Sequence, residues 1–161
     1  MLDKSKPSII MSVGCPGSGK TTWWEEGLKN GTFPSCSIRI NMDDIRLNLT
    51  GDASDQSKNY QVSQIAENKL NCCVSERIPI IYWDNTCTKA KYRKVIVNLA
   101  KKANYNIICV FFNLPLQVCI DRNSKRDRKV PNEILERMYL NIQENPPIAL
   151  DGFDDIIVVT E

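Results

Sequence analysis

Short apolar runs alternate along the chain with longer stretches in which apolar positions recur every three or four residues. The first run, Ser8 to Val13 (SIIMSV), stops at Gly14 and predicts a buried strand. Lys20 to Lys29 predicts a helix, with Gly31 just past its end as a candidate C-cap. Ser37 to Asn41 alternates and predicts a short strand. Asp55 to Glu76 is polar and helical in character, with Tyr60, Ile65, Leu70 and Val74 as a loose apolar stripe. Ile78 to Trp83 (IPIIYW) predicts a buried strand ending at Asp84. Lys89 to Lys102 predicts a helix with Tyr92, Val95, Ile96 and Leu99 on one face. Asn106 to Phe112 (NIICVFF) is the clearest strand. Pro115 to Asn123 begins a helix, since proline suits a first turn, and a basic stretch from Arg122 to Lys129 follows. Pro131 to Asn145 is a further helix closed by Pro146-Pro147, and Ile156 to Val159 (IIVV) is the last strand.

Strands that alternate with helices imply right-handed βαβ units. The expected fold class is α/β, with a five-stranded parallel sheet sandwiched between helices. A chain of 161 residues is expected to form a single domain over 1–161. No apolar run approaches the roughly 18 residues of a membrane span. Met1 to Pro7 lacks the long apolar stretch of a signal peptide, so a cytoplasmic setting without membrane contact is expected.

The chain contains no histidine, so a general base must be Asp, Glu, Lys, Tyr or Cys. The seven cysteines (15, 36, 72, 73, 87, 109 and 119) are odd in number and form no C-x-x-C pair. A zinc site or disulfide framework is not indicated; reduced thiols acting as small core hydrophobes are. The net charge of +2 gives no bulk attraction to a polyanion, which leaves a local basic patch open.

Gly14-Cys15-Pro16-Gly17-Ser18-Gly19-Lys20-Thr21 matches G-x-x-x-x-G-K-[ST] in its required context, with a strand before it and a helix after it. Glycines let backbone N–H groups turn toward phosphate oxygens, and the helix N-terminus adds partial positive charge. Lys20 is expected to reach the β- and γ-phosphates, and Thr21 to place its hydroxyl on Mg²⁺. The guanine-reading N-K-x-D signature is absent. A compact chain with one cradle suits a small phosphotransferase.

The cradle, continued by Thr21-Thr22-Trp23, resembles the opening of bacteriophage-type polynucleotide 5′-kinases. Asn41-Met42-Asp43-Asp44-Ile45-Arg46 is similar to that family's N-x-D-D-x-x-R segment. Ile80 to Thr86 looks like its strand-end Asp segment. Arg122-Asn123-Ser124-Lys125-Arg126, Val130-Pro131 and Met138-Tyr139 resemble its lid and the helix after it. These blocks span residues 8 to 140 in the family's order. The resemblance implies a P-loop kinase with a basic lid, ATP as donor with Mg²⁺, and a nucleic-acid 5′-hydroxyl end as acceptor, in nucleic-acid repair. It leaves a virus or phage origin, oligomerisation, and RNA against DNA open. Asp151 to Glu161 contains no D-x-D-G-T motif, so a phosphatase activity is not expected.

Candidate roles follow. Gly14 to Thr22, with Arg122 and Arg126, would hold ATP; Lys20 and Arg126 would stabilise transferring charge. Asp43 is the candidate base. On the residues alone, Asp43 or Asp44 equally suits capping a helix starting near Ile45; with the resemblance, Asp43 is the base and Asp44 the cap. Arg46, one turn from Asp43, would contact an acceptor phosphate, as the resemblance implies, or else be a surface arginine. Asp84, at a strand's carboxyl end, would hold a Mg²⁺-bound water, orient Arg46, or simply serve a turn. Arg122 and Arg126 share one face if their helix continues, and Arg128 and Lys129 extend the lid, touch nucleic acid or form a solvated face. Trp23, Trp24 and Trp83 are expected in the core. A kinase of a nucleoside or other small metabolite, or a non-catalytic nucleotide-binding repair subunit, remains the alternative.

Overall fold

The computed structural model describes residues 5–161. The expectation that Met1 to Pro7 carries no signal-like stretch falls partly on residues 1–4, outside the described residues. The elements are β1 (Ser8–Val13), α1 (Lys20–Lys29), β2 (Ile38–Asn41), α2 (Met42–Thr50), α3 (Asn59–Ser75), β3 (Ile80–Asp84), α4 (Ala90–Lys102), β4 (Asn106–Phe112), α5 (Leu116–Ser124), α6 (Asn132–Glu144), a 3₁₀ turn (Ala149–Asp151) and β5 (Asp155–Val159).

The five strands form one parallel sheet in the order β2-β3-β1-β4-β5. Ser8 of the central strand lies opposite both Ile80 and Asn106. Helices cover both faces of β1, and all six of its residues are buried. That is why it reads as a continuous apolar run rather than an alternating one. The chain leaves β1 toward β2 on one side and reaches β4 on the other, which opens a crevice at the carboxyl ends of the central strands.

The core is aromatic under α1. Trp24 stacks on Tyr82 and on Phe33, each at 4.9 Å between ring centroids. Trp23 packs on Phe33 at 5.2 Å, and Trp83 is buried, so the tryptophans serve the core as expected. The Phe33 ring fills the space where a Cβ on Gly27 would stand. Cys15, Cys73, Cys87, Cys109 and Cys119 are buried, Cys36 and Cys72 are exposed, and all seven are free thiols.

Two helix faces differ from expectation. The inward face of α3 is Val62, Ala66, Leu70 and Cys73, and Tyr60 lies in solvent. The inward face of α4 is Arg93, Ile96, Val97 and Ala100, while Tyr92 and Val95 are 55% and 54% exposed. The cause is Arg93. Its buried guanidinium donates to the carbonyl of Asn145 at 2.8 Å and to Asp151 Oδ2 at 3.3 Å, tying α4 to the chain after α6. A charged residue in an inward register looks polar, which rotates the apparent stripe.

Candidate active site

The cradle between β1 and α1 is held open by backbone geometry. Gly17 and Gly19 have φ of 82° and 93°, in the left-handed region that glycine adopts at no steric cost. A Cβ on Gly17 would stand 2.6 Å from the Cys119 carbonyl oxygen, and one on Gly14 would stand 2.7 Å from Ser18 Oγ. Lys20 Nζ donates to the carbonyls of Gly14 (3.0 Å) and Cys15 (2.6 Å) and to Ser18 Oγ (3.3 Å). Burial lowers the pKa of Lys20, opposed by the nearby Asp84 carboxylate. The left-handed glycines, the amino-terminal end of α1 and the Lys20 ammonium together fit a polyphosphate, whose charge would repay that desolvation.

The thiols of Cys15 and Cys119 are hydrogen-bonded behind the cradle. That bond, with Lys20 and Arg122 nearby, brings the Cys119 thiol down to about 7, while the same bond and burial push Cys15 up.

Facing the cradle is the amino-terminal turn of α2. Its cap is Asn41, whose Oδ1 accepts from the amides of Asp43 (2.8 Å) and Asp44 (3.0 Å). This corrects the expectation that Asp44 caps a helix near Ile45: the helix starts earlier, at Met42, and Asp44 instead pairs with Arg39 at 3.1 Å. Asn41 Nδ2 also donates to the Asp84 carbonyl (2.9 Å) and Oδ2 (3.1 Å).

Asp84 is 1% exposed at the end of β3, and Arg39 Nε donates to its Oδ2 at 2.7 Å. It does not orient Arg46, contrary to expectation, because its carboxylate is taken by Arg39 and Asn41 across the neighbouring strand. Arg46 is not a surface residue either. It is 7% exposed, ion-pairs with Asp43, and donates from Nε and Nη2 to Asn59 Oδ1 at 3.3 and 3.0 Å. Asn59 lies at the start of α3, beyond the reach of any local sequence pattern.

Arg122 and Arg126 do not share a helix face. α5 ends at Ser124 because the Asn123 amide pulls the chain back to Val130, donating to its carbonyl at 2.7 Å and accepting from its N–H at 3.1 Å. Both arginines nevertheless line the same cleft as the cradle, and Arg122 approaches Gly19. Arg128, from the same loop, reaches Asp43 Oδ2 at 2.6 Å.

The cleft, of about 1180 Å³, brings together Pro16 to Thr22, Asp43, Arg46, Asp84, Arg122, Arg126 and Arg128. Tyr92 and Val95, expected on one helix face with Ile96 and Leu99, line it as well. The site thus has a phosphate cradle, an anionic oxygen pair opposite it, and a cationic loop over the gap.

Comparison with known proteins agrees with this fold. A family model of the AAA domain (AAA_33) matches residues 9–144. The L-seryl-tRNA(Sec) kinase of Methanococcus maripaludis is 30% identical over 138 residues, covering 81% of this chain and 51% of that protein. The chain therefore spans about half the length of the curated relative it matches. A chain in the Pnkp1/Rnl/Hen1 RNA repair complex superposes with a TM-score of 0.73 at 22% identity, over 92% of this chain and 47% of that one. A fungal RNA kinase gives 0.62 at 18% identity, over 96% of this chain and 38% of that one. At those identities the likeness is one of fold. With the cradle, the parallel sheet and the matched family model in agreement, the chain belongs to the AAA_33 family of AAA domains and has the fold of a P-loop kinase.

Proposed function

We propose that this chain is an ATP-dependent polynucleotide 5′-hydroxyl kinase of the bacteriophage type, with residues 1–161 forming one kinase domain. The observation that carries the reading is Asp43, set opposite the cradle by an Arg46 that is itself buried and fixed by Asn59. A nucleotide binder without chemistry has no need of a carboxylate on the acceptor side. The RNA repair complex and the fungal RNA kinase among the structural neighbours support a nucleic-acid acceptor, and the sequence blocks from Gly14 to Met138 support the bacteriophage type.

In this reading the acceptor hydroxyl oxygen forms a bond to the γ-phosphorus as the bond to the β,γ-bridging oxygen breaks. ADP departs, and the hydroxyl proton passes to an Asp43 carboxylate oxygen. Gly14 to Thr22 cradle the phosphates, Arg122 clamps them, and Lys20 and Arg126 meet the charge that develops on transfer. Arg46 orients Asp43 and keeps an Nη2 proton for the acceptor. Asp84 holds the acceptor floor through Asn41 and Arg39.

Magnesium, a hard cation that takes oxygen ligands, fits the Thr21 hydroxyl together with phosphate oxygens. Among the described residues no cluster of three or more acidic or thiol side chains offers it a separate cage. When bound it neutralises charge on the β- and γ-phosphates.

The test is transfer of label from ATP to a 5′-hydroxyl oligonucleotide, a 3′-nucleotide, a nucleoside and a seryl-tRNA offered side by side. The oligonucleotide and 3′-nucleotide are expected to dominate. Preference for the nucleoside would replace the reading with a small-metabolite kinase. Preference for the seryl-tRNA would favour the acceptor of the archaeal relative.

A further inference from the structure

Asp43 has both carboxylate oxygens occupied by guanidinium groups: Arg46 on Oδ1 and Arg128 on Oδ2. Each oxygen keeps a further lone pair, but an incoming hydroxyl must reach it between two side chains that crowd the carboxylate, and departure of one arginine opens that oxygen to the acceptor. The two are not equivalent. Arg46 is buried in α2 and anchored by two bonds to Asn59, and freeing it would strand a buried cation. Arg128 comes from the lid loop after α5, its side chain is 32% exposed, and the Asp43 side chain it meets is 48% exposed. Arg128 is the group that can leave.

We infer that Arg128 is an acceptor-selecting residue, one that latches Asp43 in the free protein and moves to a phosphate of the acceptor when the substrate enters. The inference rests on the kinase reading above and assigns to Arg128 a share of its preference for acceptors bearing a phosphate one ribose away from the reacting hydroxyl. The chemistry is an exchange of anions. In a nucleotide the sugar alone separates the 5′-hydroxyl from the 3′-phosphate. A hydroxyl placed on Asp43 therefore carries that phosphate into the reach of a long side chain that touched the same carboxylate. The guanidinium fork matches two phosphate oxygens as well as it matches one carboxylate. A neutral acceptor must break the Arg128–Asp43 pair and return nothing to Arg128, whereas an anionic one replaces the lost partner. Arg46 cannot supply this grip alone, because its Nε, Nη1 and one Nη2 proton already serve Asn59 and Asp43.

The experiment compares kcat/KM for a 3′-phosphorylated nucleoside with that for the same nucleoside, in wild type, Arg128→Gln and Arg128→Lys, with KM for ATP measured alongside. Arg128 lies in the loop after α5, outside the sheet and the cradle, so these substitutions leave both intact. Loss of a charge-assisted contact to phosphate is worth roughly 10- to 100-fold. In Arg128→Gln the preference for the phosphorylated acceptor is expected to fall by about that factor. Most of the fall should come from a higher acceptor KM, with better use of the plain nucleoside and an unaltered KM for ATP; Arg128→Lys should keep part of the preference. If wild type prefers the phosphorylated acceptor and Arg128→Gln keeps that preference within about threefold, the inference fails while the kinase reading stands. If wild type shows no preference for nucleic-acid acceptors, the reading beneath it fails first.

Discussion

Asn41 joins the acceptor floor to the sheet, and its replacement separates two contributions. As the N-cap of α2 its side chain satisfies the amides of Asp43 and Asp44; as a donor it satisfies the buried Asp84. Asn41→Ala removes both. Loss of a cap costs about 1 kcal/mol, within a range of roughly 0.5–2. Leaving acceptor atoms of a nearly fully buried residue short of a partner costs about 1–3 kcal/mol, lessened here because Arg39 stays on Oδ2. The expected total is about 2–4 kcal/mol, and at roughly 2–4 °C per kcal/mol for a chain of this size the melting temperature should fall by about 4–16 °C. Asn41→Ser keeps a capping oxygen but loses the amide donor, so its cost should be about 1–2 kcal/mol, between wild type and Ala. Urea unfolding of the nucleotide-free protein, fitted with a common slope, measures both. The transfer rate should fall further than stability does, since the cap aims Asp43. If Asn41→Ser is as stable as wild type, the bonds to Asp84 contribute nothing. If Asn41→Ala loses less than about 0.5 kcal/mol, the cap itself is idle, and the account of why Asp43 sits where it does is wrong.

Lys20→Ala should abolish nearly all transfer while the nucleotide-free protein still unfolds in one cooperative transition, as read by a labelled-ATP assay and calorimetry; substantial residual activity would remove Lys20 from the mechanism. Asp43→Asn should slow transfer by about 10²- to 10⁴-fold with ATP affinity retained, whereas Asp44→Asn, which loses only an exposed pair with Arg39, should cost far less; near-wild-type transfer in Asp43→Asn would remove it as the base. The Cys119 thiol is brought down to about 7 from its ordinary value near 9, so its contribution to stability is complete above pH 9 and disappears as pH falls through 7. Cys15 stays protonated in both states below pH 9 and adds nothing in that window. The stability of wild type minus that of Cys119→Ala should therefore rise between pH 7 and 9, and a flat difference would contradict the thiol pairing.

Elements set by local chemistry were legible in the chain, and those set by distant partners were not. β1, α1 and β4 begin and end where apolar runs, glycine and charge place them. The cradle was legible because its spacing is itself the geometry. α2 was hidden because Asn41 closes β2 and caps the helix at once, leaving no loop between them to mark a boundary. The register of α4 was hidden because its inward face opens with Arg93, whose partners lie 52 and 58 residues further on. Asp43 and Arg46 were placed on one face by their spacing, but the partner that buries Arg46 is Asn59, and the partner of Asp84 is Arg39 rather than Arg46. The Asp43–Arg128 pair joins α2 to a loop after α5, a contact that no periodicity encodes.

The paired bonds between the Asn123 amide and the Val130 backbone close residues 124–129 into a stapled loop. Because each doubling of a flexible loop costs only about 0.6 kcal/mol, the segment between the staple ends tolerates insertion and replacement far better than the staple does. The segment that carries Arg126 and Arg128 is thereby an exchangeable cassette. Its length and charge can be rewritten by grafting, with Asn123 kept as the joint, while the sheet and cradle beneath keep their register.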